Sequence, residues 1–209
     1  MTPDGLTMAL RTNDPGRPLL TWYDDSTGER IELSARTLLN WVAKAGNWLD
    51  LEAAAEPGGV LALTVPADHW RAVYWALAGW SRGLTVDLTG GAGDATVGLD
   101  TGPAGADLVE PAASLAASPL QAMPDAPPPP VGTFDDSTPA ITAARTTYAD
   151  LSAAEIAQDA RVLVEHADAA LLATVVRVLL AGGSVVIQRS ADRSRRDDRL
   201  AAEGVTQVL

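Results

Sequence analysis

The feature that most constrains the fold is the alternation of short apolar runs with amphipathic helical segments. Residues 60–65 (VLALTV) form an apolar run of strand length, and the periodicity predicts a helix over 68–83 before a second strand at 84–88. The same strand–helix–strand order returns over residues 161–188. Strands that alternate with helices pair in parallel through right-handed crossovers. The sequence therefore predicts an α/β fold with mainly parallel sheets flanked by helices.

A hairpin and a helix are expected before this region. Residues 19–24 and 30–33 flank a polar turn that ends in Gly28, which is typical of a β-hairpin. Ser34 can cap the helix that follows, which is expected to reach about residue 50. Apolar residues recur in that helix at spacings of three and four, so one of its faces is expected to be buried.

The middle of the chain, residues 101–136, breaks this pattern because it is rich in alanine, proline, serine and glycine. Residues 127–130 are four consecutive prolines, which favour a stiff and extended backbone. We interpret the segment as a connector that crosses the surface, with a short strand near residues 108–109. Beyond it, Ser152 and Glu155 match a capping box, which predicts the start of a short helix.

Charge and residue usage exclude several classes of function. The chain carries 15 Lys+Arg against 27 Asp+Glu, a formal charge of −12, which argues against nucleic acid or an anionic membrane as a partner. Cysteine is absent, and the two histidines, His69 and His166, lie far apart, so we expect no disulfide, no thiolate nucleophile and no metal site. The first residues contain no apolar run of the signal-peptide kind, which predicts a cytoplasmic protein. Arg177 interrupts the long apolar stretch at 169–187, so we expect a buried helix followed by a buried strand rather than a membrane span.

Few residues carry a recognisable chemistry. Residues 90–93 (GGAG) follow a strand but precede another strand, so we interpret them as a tight turn rather than a phosphate-binding loop. His166 lies at a strand-to-helix junction, where α/β proteins commonly place ligands. A histidine at a helix start that is satisfied by neighbouring backbone is the alternative there. His69 is expected to be an exposed residue at a helix start.

Two further patterns have structural explanations. Four of the six tryptophans fall on predicted core faces and are expected to pack there: Trp41, Trp48, Trp70 and Trp80. The charged run at 192–199 is expected to be the solvated face of a polar helix at 193–203, before a final strand at 205–209.

Several segments occur in an order that matches a known family. They are residues 17–22 (RPLLTW), 32–38 (ELSARTL), 59–66 (GVLALTVP), 70–86, 162–166 (VLVEH), 182–187 (GGSVVI) and 204–206 (GVT). This order resembles the adenylate-forming superfamily, which includes acyl-CoA synthetases, the adenylation domains of peptide synthetases and luciferases. In that family the histidine that corresponds to His166 lies beside the acyl or substrate pocket, so the resemblance implies a ligand-binding role for His166.

The resemblance also implies how the chain is organised. Residues 1–209 would form one compact α/β unit with two closely packed lobes. One lobe would contain residues 59–120, and the other would contain residues 17–50 together with 150–209. The proline-rich connector at 101–136 would cross between them.

The chain departs from the family where the family binds ATP. A phosphate loop ending in Pro-Lys should fall between Pro139 and His166, but residues 140–148 contain neither glycine nor lysine. The single lysine, Lys44, lies in the first predicted helix, and the sequence stops before the family's adenine motif and its mobile C-terminal domain. Electrostatic stabilisation is usually the largest catalytic term. The resemblance therefore implies a truncated relative with no catalytic residues and no cofactor.

Three functions follow as hypotheses. The leading one is a non-catalytic acyl-CoA synthetase-like protein, a pseudoenzyme that binds a small acyl or nucleotide-like ligand or a protein partner. The second is an enzyme of altered chemistry whose site combines His166 with a carboxylate such as Glu165 or Asp168. The third is a structural or interaction module, for example a homodimer.

Overall fold

The computed structural model describes residues 3–11, 14–114, 116–132, 135–142, 144–152 and 156–209. Its strands are β1 (Pro18–Asp24), β2 (Glu29–Ser34), β3 (Val60–Leu63), β4 (Thr85–Asp87), β5 (Ala95–Leu99), β6 (Leu108–Glu110), β7 (Pro139–Ile141), β8 (Thr146–Thr147), β9 (Arg161–Val164), β10 (Ser184–Arg189) and β11 (Gln207–Val208). Its helices are α1 (Pro3–Leu10), α2 (Ala35–Leu51), α3 (Trp70–Ser81), α4 (Tyr148–Ser152), α5 (Ala170–Leu180) and α6 (Arg196–Glu203). Short 3₁₀ helices lie at Pro119–Ala122 and Arg193–Arg195.

The strands form two sheets that are mainly parallel. The first sheet has the order β11–β9–β10–β1–β2, and the second has the order β6–β5–β3–β4–β7–β8. Each sheet is parallel except at one edge, where β2 pairs antiparallel with β1 and β8 pairs antiparallel with β7. The predicted α/β class with mainly parallel sheets is therefore confirmed.

Helices α2, α3 and α5 form a layer between the two sheets. Helices α2 and α5 contact the first sheet, α3 contacts the second, and both α2 and α5 pack against α3. Every residue of α3 from Trp70 to Trp80 is buried, as expected for a helix that is covered on all sides. Gly79 permits the close approach of α3 to β3, since a Cβ atom there would lie 2.9 Å from Cδ2 of Leu61.

The local patterns that predicted these elements are present in the structure. Gly28 ends the turn between β1 and β2 with a φ of +77°, a conformation that favours glycine. Ser34 caps α2, because its Oγ accepts a hydrogen bond from the Thr37 N–H at 3.3 Å. The strand–helix–strand units predicted over 60–88 and 161–188 are confirmed as β3–α3–β4 and β9–α5–β10, and each pairs its strands in parallel.

Some predictions were wrong in detail. The run at 192–199 is not only a solvated face, because Arg199 is buried and donates to both carboxylate oxygens of Asp25 at 3.0 and 2.6 Å. The final strand is shorter than predicted and covers only Gln207–Val208. Ser152 is the last residue of α4, while the rest of the predicted capping box, residues 153–155, lies outside the described residues.

Candidate ligand-binding crevice

The carboxyl ends of the parallel strands of both sheets meet at one side of the molecule. Two neighbouring pockets lie there, linked by the contact of Asp68 with Arg189, and we call them the two chambers of the crevice. The first chamber has a volume of about 440 Å³ and is lined by Leu63–Asp68, Leu88–Gly90, Pro103 and Ala167–Ala169. The second has a volume of about 460 Å³ and is lined by Trp22, Asp24, Thr27, Glu29, His69, Leu99, Thr101, Ala112, Ala113 and Arg189. Crevices at the carboxyl ends of strands are the usual ligand sites of α/β proteins.

An ion-pair chain joins the two sheets across this crevice. Arg189, at the end of β10, lies 3.1 Å from Oδ1 of Asp68 and 3.5 Å from Oδ2 of Asp24. Trp22 on β1 adds a second link, because its Nε1 donates to the backbone carbonyl of Asp68 at 2.8 Å. The segment after β3 is therefore fixed to the ends of β1 and β10.

The two carboxylates of this chain have pKa values shifted in opposite directions. Burial raises the pKa of Asp68, and the charge of Arg189 offsets only part of that effect. Burial also acts to raise the pKa of Asp24. Hydrogen bonds from Ser26 and Ser190 and the charge of Arg189 outweigh burial there, so the pKa of Asp24 lies below its ordinary value.

His69 is buried, which contradicts the prediction that it is exposed. It is 3% exposed, and its ring centroid lies 5.0 Å from that of Trp22. Its Nδ1 accepts a hydrogen bond from the Arg71 N–H at 3.2 Å and caps α3, and the ring also bonds to the backbone of Ala112. Burial, followed by the charge of Arg71, lowers the pKa of His69 to about 4. A neutral ring that is held by the backbone fixes the start of α3 and is not placed to act as a base.

His166 follows β9 at the start of the α5 segment and is partly exposed. Its Nδ1 lies 3.1 Å from Oδ1 of Asp168, and its Nε2 lies 3.4 Å from Oγ1 of Thr174. Asp168 lines the first chamber, whereas His166 is not among the residues that line either chamber. Glu165 points elsewhere and pairs with Arg196 at 2.5 Å. The structure thus brings Asp168 to His166 but does not bring Glu165 to it.

The glycine-rich loop at 90–93 and the connection between β7 and β8 are not built as phosphate-binding loops. The Asp87 carboxylate accepts hydrogen bonds from the N–H groups of Thr89 at 3.2 Å and Gly91 at 3.1 Å, so the glycine-rich loop is a turn closed by its own side chain. Between β7 and β8, the Arg145 N–H donates to the carbonyl of Thr142 at 3.3 Å. Among their described residues, neither loop presents an open row of N–H groups of the kind that binds a phosphate.

Lys44 lies on α2 and contacts the proline-rich segment. Its Nζ donates to the backbone carbonyls of Gln121 at 3.2 Å and Met123 at 2.6 Å, and it lies 3.0 Å from the Asp125 carboxylate. It is not among the residues that line the two chambers.

Asp24, Asp68 and Arg189 were not singled out from the sequence. Asp24 and Arg189 are the last residues of the apolar runs LLTWYD and SVVIQR, and that position at the carboxyl end of a parallel strand is the signal that could have found them. Within the described residues, no cluster of three or more His, Asp or Glu side chains could hold a metal ion. In the same part of the chain, no helix combines the length and the apolar character needed to cross a membrane.

Comparisons with known proteins agree with this architecture. No protein-family model matches the chain. A Mycobacterium tuberculosis protein named TIGR03089 family protein is 43% identical over 103 residues, which are 49% of this chain and 42% of that protein.

Solved structures match over nearly the whole chain. A Brucella canis acyl-CoA synthetase has a TM-score of 0.73 at 16% identity and matches 97% of this chain and 46% of its own. The N-terminal domain of FACL13 from Mycobacterium tuberculosis has a TM-score of 0.73 at 14% identity and matches 100% of this chain and 62% of its own. A Mycobacterium tuberculosis fatty acyl CoA synthetase has a TM-score of 0.74 at 13% identity, over 99% of this chain and 48% of its own. The chain spans less than two thirds of each of these proteins, and it has the fold of the N-terminal part of acyl-CoA synthetases.

Proposed function

We propose that the chain is a non-catalytic acyl-CoA synthetase-like protein that binds a small acyl or nucleoside-like ligand in the crevice between its sheets. The observation that carries this proposal is the turn between β7 and β8. The resemblance expects a phosphate loop between Pro139 and His166, but residues 140–148 contain neither glycine nor lysine, and the Arg145 N–H donates to the carbonyl of Thr142. Lys44 supplies no substitute, because it is bound to the carbonyls of Gln121 and Met123.

The charges of the crevice support this proposal. Asp68 and Asp168 line the first chamber, and Asp24, Glu29 and Arg189 line the second. Four carboxylates against one guanidinium disfavour a triphosphate, which needs positive side chains or free N–H groups around it. An uncharged acyl chain or a nucleoside without its phosphates fits the crevice better.

Pyrophosphate exchange tests the absence of catalysis. The isolated chain is incubated with ATP, labelled pyrophosphate and a panel of carboxylic acids, with an active acyl-CoA synthetase as the positive control. We expect no exchange above background. Robust exchange with any acid would show that the chain adenylates carboxylates and would overturn the proposal.

Binding to the crevice is tested separately. Ala167 is exposed and lines the first chamber, so Ala167→Trp narrows that chamber without disturbing a buried residue. Adenosine and ATP are compared by calorimetry on both forms. We expect adenosine to bind more tightly than ATP and to lose at least about tenfold in affinity in Ala167→Trp, which is about 1.4 kcal/mol.

A second candidate function is favoured by the contacts of His166. The His166 ring lies between a carboxylate and a hydroxyl. Its Nδ1 is 3.1 Å from Oδ1 of Asp168, and its Nε2 is 3.4 Å from Oγ1 of Thr174. In this order the ring can accept the hydroxyl proton as the Thr174 oxygen attacks an ester carbonyl and the alcohol leaves, and water then releases the acyl group. Hydrolysis of p-nitrophenyl acetate tests this candidate. If this candidate is right, Asp168→Asn loses the esterase activity and Glu165→Gln retains it. Equal rates of hydrolysis in the two variants would contradict this function.

A further inference from the structure

A second kind of cavity lies away from the crevice, and we call it the proline pocket. It has a volume of about 500 Å³, and its walls are mainly the apolar side chains of Met8, Leu39, Val42 and Ala43 together with Pro127–Pro130. It shares no lining residue with either chamber of the crevice. A largely apolar pocket with a few polar groups, of about 300–1,000 Å³, is typical of small-molecule binding sites.

The proline wall of this pocket is held in place by hydrogen bonds from α2 and from Arg82, the residue that follows α3. Asn47 donates to the carbonyls of Pro124 at 3.1 Å and Ala126 at 2.7 Å, and Arg82 donates to the carbonyl of Pro129 at 2.6 Å. Proline has no N–H group, so its carbonyl is its only polar backbone group. The Pro129 carbonyl is thus bound, and the contacts of Asn47 fix the residues just before the wall, so the wall is already ordered before a ligand arrives.

The packing of α2 against this wall is also close. A Cβ atom at Gly46 would lie 3.2 Å from Cγ of Pro128, which leaves little room for the wall to collapse onto the helix. Met8, on the opposite side, is 66% exposed and is among the most exposed large apolar side chains of the described residues. An ordered wall and an exposed apolar residue together make an open pocket with an apolar surface.

The charges around the pocket indicate the kind of ligand. Among the described residues that line it, the charged ones are Arg11 and Arg82, and no carboxylate is present. Arg82 is neutralised by Asp50 at 2.6 Å, whereas Arg11 is exposed. In a chain of formal charge −12, this absence of carboxylates favours an anionic group at the pocket.

We propose that the proline pocket binds a small amphipathic carboxylate. The apolar body of the ligand lies against Met8, Val42, Ala43 and Pro127–Pro130, and the carboxylate pairs with Arg11. This proposal does not rest on the crevice or on the proposed function, because the two cavities have no residue in common.

Calorimetry with decanoate, below its critical micelle concentration, tests the charge requirement on the full chain. Decanol is the uncharged counterpart with the same apolar body. Arg11→Glu should weaken decanoate at least about tenfold and leave decanol unchanged. Arg36→Glu is the matched control, because Arg36 is exposed nearby but does not line this pocket, and it should leave both ligands unchanged. Equal decanoate affinity in the wild type and Arg11→Glu would overturn the proposal.

Two further variants test the location. Ala43→Leu fills the pocket and should abolish binding of both ligands. If that variant does not fold, Met8→Asp replaces it, because Met8 is exposed. Loss of the apolar contact should weaken both ligands, and repulsion by the new carboxylate should weaken decanoate further than decanol. Ala167→Trp, which narrows the crevice, should leave decanoate binding unchanged. Loss of decanoate binding in Ala167→Trp would place the ligand in the crevice and contradict the assignment to the proline pocket.

Discussion

The crevice and the proline pocket are built from different kinds of polar contact. In the crevice, the charged side chains of Asp24, Asp68 and Arg189 face one another across the opening. In the proline pocket, Asn47 binds the backbone carbonyls of Pro124 and Ala126, just before a wall whose lining side chains are mainly apolar. A ligand in the crevice has to compete with ion pairs within the protein, whereas the apolar body of a ligand in the proline pocket displaces water from carbon and only its charged end meets a charged side chain, that of Arg11. The first arrangement favours polar specificity, and the second favours binding by burial of apolar area.

The largest expected loss of stability comes from breaking the buried ion pair behind the wall of the second chamber. Arg71 and Glu110 are 1% and 0% exposed and lie 3.3 Å apart, and Glu110 ends the strand that leads to the chamber residues Ala112 and Ala113. Arg71→Met leaves the Glu110 carboxylate buried without its cation, so we expect the free energy of unfolding to fall by about 3–5 kcal/mol. Urea denaturation measures this change.

The control for this prediction removes both charges. The double variant Arg71→Met with Glu110→Gln leaves no charge at this pair, and the side-chain oxygen of residue 110 can still accept from Tyr74 and Trp75, so most of the loss should be recovered. If Arg71→Met is as stable as the wild type, the view that buried charges support the crevice is wrong.

The corresponding change at the proline-rich segment should be smaller. Lys44→Met removes the donors to the Gln121 and Met123 carbonyls, but those carbonyls can then reach water. We expect a loss of about 1–3 kcal/mol in the free energy of unfolding and faster cleavage by thermolysin within residues 101–136. Arg36→Met, on the same helix, is the control and should change neither quantity. Unchanged cleavage in Lys44→Met would contradict the role of Lys44 in holding this segment.

The pH dependence of stability should separate the two crevice carboxylates. Because burial raises the pKa of Asp68, its contribution favours folding at low pH and is lost as the pH rises through the folded-state pKa. The lowered pKa of Asp24, where hydrogen bonds and Arg189 outweigh burial, contributes stability above its unfolded-state value. That contribution is lost as the pH falls through the folded-state pKa.

Denaturation of the wild type, Asp68→Asn and Asp24→Asn from about pH 2 to 7 measures these contributions. For each variant we take the free energy of unfolding of the wild type minus that of the variant. As the pH rises, this difference should fall for Asp68→Asn and rise for Asp24→Asn. Each should stay below the ~1.4 kcal/mol per pH unit that one whole proton would give. If both differences change in the same direction with pH, the pKa values of the two carboxylates are not shifted in opposite directions.

The smallest effect is expected at His166. Its side chain is 32% exposed and its partner Asp168 reaches solvent, so His166→Gln should change the free energy of unfolding by no more than about 0.5 kcal/mol. His69→Gln is the matched comparison, because His69 is buried and caps α3, and we expect it to cost about 1–3 kcal/mol. A larger loss in His166→Gln than in His69→Gln would contradict this order.

Elements with a clear periodicity could be predicted from the sequence. The apolar runs at 60–65 and 184–188 gave the parallel strands, and Gly28 and Ser34 marked a turn and a cap that the structure contains. The strand order could not be predicted, because it depends on pairing between segments that lie far apart in the chain. The β7–β8 hairpin was also missed, since strands of two or three residues carry no measurable alternation.

The side chains that decide the function were harder to predict, because their surroundings come from distant residues. His69 was expected at the surface, as a helix start usually is, but α3 lies between two sheets and Trp22 covers its first turn. Lys44 contacts carbonyls 77 and 79 residues further along the chain, so no local pattern could indicate its role. The position of Asp168 beside His166 was among the expected combinations, because the two residues are close in sequence.

The tryptophans of the helical layer have an optical consequence. Five of the six lie on α2 and α3: Trp41, Trp48, Trp70, Trp75 and Trp80. Most of the intrinsic fluorescence therefore originates between the two sheets, and separation of either sheet from this layer exposes indole rings and shifts the emission to longer wavelength. Residues 101–136 contain no tryptophan, so detachment of that segment alone leaves the emission nearly unchanged. Fluorescence thus reports global unfolding of this protein, while its proline-rich segment needs a label of its own.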